Sequence, residues 1–145
     1  MPTRLNPYIS FKGNAREAME FYHSVLGGKL DLNTFGELGL SIEANDTDMI
    51  MHAMITTDSG MALMAADTPS HMEYHAPVGI SISLSGDDEA ELRGYFEKLS
   101  EGGTIAEEFK KATWGDTFGM FTDKFGIFWM VNASNPEAVS EQATA

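Results

Sequence analysis

Ile9-Ser10-Phe11-Lys12-Gly13-Asn14, set against Ile82-Ser83-Leu84-Ser85-Gly86-Asp87, decides the fold, because the same pattern returns 73 residues later. The register continues through a helix-like stretch, with Met19 against Leu92, Tyr22 against Tyr95 and Leu26 against Leu99. Gly27-Gly28 closes the first copy and Gly102-Gly103 the second. Each copy fills about half the chain, longer than the units that build solenoids. Two related halves facing one another would leave a cleft, a natural place for a ligand.

Within each half the periodicity changes from two to 3.6 and back. Asn6 to Lys12 alternates, with Ile9 and Phe11 on one face and Asn6, Tyr8 and Ser10 on the other. Asn14 with Glu17 three residues later predicts a capping box. A helix then carries Ala18, Met19, Tyr22, Val25 and Leu26 as one apolar stripe. Strands are expected near Lys29–Phe35 and Gly39–Ile42, and a hairpin over Met49–Thr56 and Met61–Ala66, turning at Asp58-Ser59-Gly60. Asp67 to Pro77 reads as a polar connection.

The second half repeats the order. Gly79–Ser85 alternates, with Ile80, Ile82 and Leu84 on one face. Asp88 and Glu91 offer another capping box, followed by the stripe Leu92, Tyr95, Phe96 and Leu99. Strands near Thr104–Ala112, Thr117–Thr122 and Phe128–Asn132 complete it, with a turn at Asp123-Lys124-Phe125-Gly126. The fold class expected is α+β: two tandem βαβββ modules, about 6–66 and 78–132, in one domain spanning 1–133. Their sheets would form a curved cup with the helices outside. The tail from about Ser134 is small and polar and is expected to be flexible.

Composition narrows the function. At 145 residues the chain supports one well-buried core. No apolar run approaches the roughly 20 residues that span a bilayer, so no membrane partner is expected, and the first residues lack the pattern of a signal peptide. The absence of cysteine removes disulfides, thiol nucleophiles and thiolate metal sites, and fits a reducing, cytoplasmic setting. A net charge of −13 makes nucleic acid an unfavourable partner; such a charge keeps a protein soluble in the first place, and a cationic small molecule is the alternative it leaves open. No phosphate cradle, dinucleotide fingerprint or Gly-x-Ser-x-Gly elbow occurs.

Two blocks carry a family resemblance. Pro7-Tyr8-Ile9-Ser10-Phe11-Lys12-Gly13-Asn14-Ala15, with Glu17-Ala18 and Phe21-Tyr22, resembles the opening of PhnB-like proteins of the vicinal oxygen chelate group. That group includes glyoxalase I, bleomycin-resistance proteins and extradiol dioxygenases. Trp114-Gly115-Asp116, Phe118-Gly119 and Asp123-Lys124-Phe125-Gly126 with Trp129 resemble its closing block. This chain departs from the family pattern at Lys124, where Pro is usual, and at Ile127, where His is frequent. The resemblance covers about Asn6 to Asn132 and implies paired βαβββ modules and a homodimer.

The metal enzymes of that group take one ligand, typically His or Glu, from each of four strands. Carrying those places over gives Asn6, His52, Gly79 or Ser81, and Met130. Only His52 is a competent ligand for a hard first-row metal. The expectation is therefore a metal-free protein, with no cofactor and a divalent metal disfavoured.

His52 stands in a strand of Met, Ile and Ala, either as a hydrogen-bonding or acid/base group or as a satisfied core histidine. His71 and His75 are spaced to share a helical face but lie in a polar loop between prolines, which makes them weak metal candidates. Met49, Met51, Met54, Met61 and Met64 crowd the central hairpin, as core filler or as the wall of a pocket or interface. Trp114 could stack on a flat ligand, Trp129 is expected against a helix, and Asp116 as a turn-forming residue.

The ligand-binding set expected is Tyr8, Ser10, Ile50, His52 and Met54 in the first half, with Trp114 and Met130 in the second. The function expected is binding of a small, partly apolar or aromatic molecule, for sequestration or resistance. The alternatives are a metal-dependent lyase, isomerase or dioxygenase that uses His52, and a protein-binding module built on the Met-rich hairpin.

Overall fold

A computed structural model describes residues 3–40 and 44–135. The chain divides after Val78 into two compact units. The first holds β1 (Tyr8–Phe11), α1 (Ala15–Leu26), β2 (Lys29–Thr34), a short 3₁₀ turn (Ala44–Asp46), β3 (Ile50–Thr56) and β4 (Ala62–Asp67). The second holds β5 (Ile82–Gly86), α2 (Glu89–Leu99), β6 (Thr104–Lys111), β7 (Thr117–Thr122) and β8 (Phe128–Ala133). Each is β-α-β-β-β, as the repeat predicts. The sheets order as β1-β4-β3-β2 and β5-β8-β7-β6, with the first strand parallel to the fourth and the remaining pairs antiparallel.

Alternation decides which face each helix covers. Ile9, Phe11, Ala53, Ile55, Leu63 and Ala65 are buried, together with Ala15, Ala18, Met19 and Tyr22 of α1. In the second unit Leu84, Phe121, Trp129 and Val131 are buried with Leu92, Phe96 and Leu99 of α2. Phe96 meets Phe121 edge-on at 5.1 Å and stacks on Phe109 at 5.6 Å. Gly119 makes room for that ring, since a Cβ there would lie 2.6 Å from Phe96 Cε2.

The repeated Gly-Gly has a structural cause in both units. A Cβ on Gly28 would sit 2.3 Å from the carbonyl oxygen of Thr56, and one on Gly103 would sit 2.1 Å from that of Thr122. The chain leaving each helix thus passes directly over the end of its unit's third strand, and only glycine permits the approach.

Several local expectations are corrected. Asn14 is the N-cap of α1, but its side chain makes no capping bond. Asp67 takes over: the Ala15 N–H donates to its Oδ1 and the Ile50 N–H to its Oδ2, both at 2.9 Å. The register pairing Asp67 with Phe11 puts Val131 opposite Leu84 in the second unit, so no carboxylate is available there. Asp88 instead caps α2 itself by accepting from the Glu91 N–H at 3.1 Å. Glu91 does not close the box, because its Oε1 accepts from Tyr95.

β5 starts at Ile82, so Ile80 lies before the strand and is 77% exposed, off the helix-facing row. Gly39 lies in a turn and Leu40 in irregular chain rather than in a strand, and the rest of that expected strand lies outside the described residues. Ser134 and Asn135 are held, donating their N–H groups to the Gly86 carbonyl and to Asp116 Oδ1. The remainder of the expected tail lies outside the described residues. Among the described residues no helix is long and apolar enough to cross a membrane.

Candidate functional site

In the first unit the sheet face turned away from α1 gathers most of the chemistry. Tyr8 and Ser10 project from β1, where Ile9 and Phe11 are buried on the opposite side. Tyr8 is in register with Met64, Met64 with Met54, and Met54 with Asp31. His52 is in register with Asn33, and Ser10 with Ala66. The Tyr8 and His52 rings lie 6.0 Å apart and tilted by 55°, which places both on one face. Tyr8 is 51% exposed, yet partial burial of its phenol pushes its pKa up, favouring the neutral, hydrogen-bonding form.

A register shift decides which β3 residues reach that face. Thr34 pairs with Ile50 while Asn33 pairs with His52, so Met51 is the extra residue. Ile50 is consequently turned into the core with Ala53 and Ile55 and is only 1% exposed. It offers no surface to a ligand and leaves the expected binding set for this structural reason.

The corresponding face of the second unit is more aromatic. Phe118, Met120, Met130 and Asn132 are half-buried there, alternating with buried Thr117, Gly119, Phe121, Trp129 and Val131. Met130 pairs with Met120 and with Ser83. Trp129 is on the helix side, as its phase predicts. Trp114 lies in the β6–β7 turn, 51% exposed, its ring 5.8 Å from Phe118.

Asp116 fastens this end of the sheet. It accepts from the Asn135 N–H at 3.1 Å and from Asn132 Nδ2 at 3.2 Å. Those bonds, the Asn135 N–H first, hold its carboxyl below the usual carboxylate range, with Trp114 assisting and desolvation opposing. The turn role expected for Asp116 fits this geometry.

The carried-over metal positions do not occupy equivalent strand places in the two units. Met130, in register with Ser83, has Ala66 as its counterpart, because Ser10 occupies the equivalent place in β1. His52 is on β3 and is not the symmetric partner of Met130. Asn6 precedes β1, and Gly79 and Ser81 precede β5. His71 and His75 lie in irregular, exposed chain rather than on a helix, and His75 is 3.9 Å from Glu73. Among the described residues no three His, Cys, Asp or Glu side chains group closely enough to hold a metal ion. One imidazole among amide, hydroxyl and thioether groups does not fit a divalent Lewis-acid centre.

Phe118, Met120 and Asn33 belong to these faces and were not among the site residues expected from the sequence, although Phe118 stands in the closing block. Period-two alternation over Thr117–Thr122 could have found the first two. Asn33 depends on strand register and had no local signal.

A family model matches residues 4–131, described as the Glyoxalase/Bleomycin resistance protein/Dioxygenase superfamily. The chain belongs to that superfamily. Among curated proteins the glyoxalase-superfamily chain is 29% identical over 139 residues to protein YjdN of Escherichia coli K12, covering 88% of this chain and 93% of that protein. Among solved structures it is similar to protein PA1353 from Pseudomonas aeruginosa, at 42% identity and TM-score 0.79, covering 92% of this chain and 98% of the other. A PhnB protein from Bacillus cereus shares the fold at 24% identity and TM-score 0.71, covering 91% and 100%. The superfamily resemblance of the two sequence blocks is thereby shown over residues 4–131.

Proposed function

We propose that this glyoxalase-superfamily protein binds a small, partly apolar or aromatic molecule without a divalent metal, as a homodimer that sequesters its ligand. The observation carrying the reading is the Tyr8–His52 pair on a face that also holds Met54, Met64, Ala66 and Ser10, with Asn33 and Asp31 on its β2 side. A phenol ring and thioethers cover a flat apolar body, and thioethers adapt to irregular shapes. The imidazole, phenol and Ser10 hydroxyl supply the few directional hydrogen bonds that fix orientation. The net charge of −13 favours a cationic ligand. The homodimer rests on the family resemblance.

The test combines elemental analysis of gently purified protein with calorimetric titration of cationic and neutral aromatic compounds. Less than stoichiometric Ni, Zn, Fe and Mn is expected, with binding that weakens about tenfold in His52→Ala, as befits one lost hydrogen bond to a ligand. One such metal per subunit would sink the reading and favour a metal-dependent lyase, isomerase or dioxygenase that uses His52. Light scattering showing a monomer would remove the dimer.

A further inference from the structure

The first unit's open face holds a donor set that the usual ligand inventory of His, Cys, Asp and Glu overlooks. Met54 and Met64 are directly opposed across the antiparallel β3–β4 pair. Residues so placed have Cβ atoms about 4.5–5.5 Å apart on one face. His52 precedes Met54 by two residues on the same strand, hence on the same face about 7 Å along it. All three side chains are half-buried rather than enclosed. Tyr8 closes the group, since its backbone is in register with Met64 and its ring is 6.0 Å from the His52 ring.

We propose that His52, Met54 and Met64 form a binding site for a soft monovalent cation, Cu(I) or its surrogate Ag(I), beneath the Tyr8 ring. Two thioethers and one imidazole are poor ligands for a hard divalent ion and good ones for Cu(I), which accepts low coordination by soft donors. The Tyr8 ring supplies a π face that attracts a partly desolvated cation. Asp31, in register with Met54, lies at the edge of the row with its carboxylate paired to Lys29 at 3.6 Å, and stays outside the donor set. The protein's net charge of −13 raises the local cation concentration further. The site goes beyond the binding of an organic molecule proposed above, although it shares His52 and Tyr8 with it.

The chain has no cysteine, so tight Cu(I) binding cannot arise from adventitious thiolates. The experiment is an anaerobic titration of the full chain with Cu(I) against a chromophoric Cu(I) chelator, repeated with Ag(I). One equivalent per chain is expected, with X-ray absorption reporting sulfur and nitrogen neighbours.

Met54→Leu and Met64→Leu conserve volume, so the fold is retained, and each is expected to weaken binding about tenfold or more. Met61→Leu, altered in the β3–β4 turn, is expected to leave affinity unchanged. Circular dichroism of each variant confirms folding. No competition with the chelator, or full affinity in the Met54→Leu/Met64→Leu double variant, would overturn the site. Equal loss in Met61→Leu would overturn the assigned donor set. The titration uses metal alone, whereas the organic-ligand test uses metal-free protein, so either reading can fail without the other.

Discussion

Asp123 and Trp129 are bonded to each other inside the second unit: the indole Nε1–H donates to Asp123 Oδ2 at 2.8 Å, with both residues buried. The other oxygen, Oδ1, accepts from the Phe125 N–H at 2.8 Å and the Ile127 N–H at 3.0 Å. One carboxylate therefore shapes the β7–β8 turn and orients the largest side chain of the core. Asp123→Asn replaces one acceptor oxygen with an NH₂ group, leaving buried donors facing a donor. A loss of about 2–4 kcal/mol is expected, read by urea unfolding with Trp129 emission as the probe. Unchanged stability would mean that the turn persists without the charge.

Asp67 predicts a local effect in the first unit. Asp67→Ala leaves the buried N–H groups of Ala15 and Ile50 without their acceptor. The cost should be about 2–3 kcal/mol, and amide exchange should accelerate first at Ala15 and Ile50. Asp88→Ala, at the corresponding helix start of the second unit, removes a single exposed cap and should cost about 1 kcal/mol.

Gly119→Ala tests the packing under α2. Its Cβ would lie 2.6 Å from Phe96 Cε2 and 2.9 Å from the Phe109 Cα. The ring can yield but the β6 backbone cannot do so cheaply, so a destabilisation of about 1–3 kcal/mol is expected. Pairing it with Phe96→Leu should recover part of the loss in thermal melts, and full additivity would contradict this account.

Asp116 gives a pH dependence. Its folded pKa is depressed, so its contribution is present above the unfolded carboxylate value of about 3.9. That contribution is lost as the pH falls through the lower folded value. A carboxyl NMR titration should place its midpoint below those of ordinary aspartates. Asp116→Asn should flatten the acid limb of the stability profile and release the Asn135 amide to exchange. A midpoint at or above the ordinary value would contradict the hydrogen bonding described.

The elements that were legible share a simple origin. Ile9 and Phe11, Met19 and Tyr22, Leu92 and Phe96 announce their faces because helix and strand periodicities are local properties of the chain. The paired glycines were legible as a repeat, while their cause, the close pass over Thr56 and Thr122, was not. Asn14 misled because an N-cap signal competes with any carboxylate the tertiary fold brings nearby, and Asp67 arrives from 53 residues away. Ile50 misled because a single bulged residue, Met51, reverses the alternation.

By itself, then, the sequence determined the duplicated β-α-β-β-β order, the helix-facing rows and the superfamily resemblance, all of which follow from period, spacing and motif. Only the tertiary structure decided which residues share a surface. The Tyr8–His52 contact, the Met54–Met64 opposition and the Asp123–Trp129 bond depend on strand register and turn geometry. The physical reason is that register is fixed by the sum of cross-strand packing and backbone pairing, which no single segment carries alone.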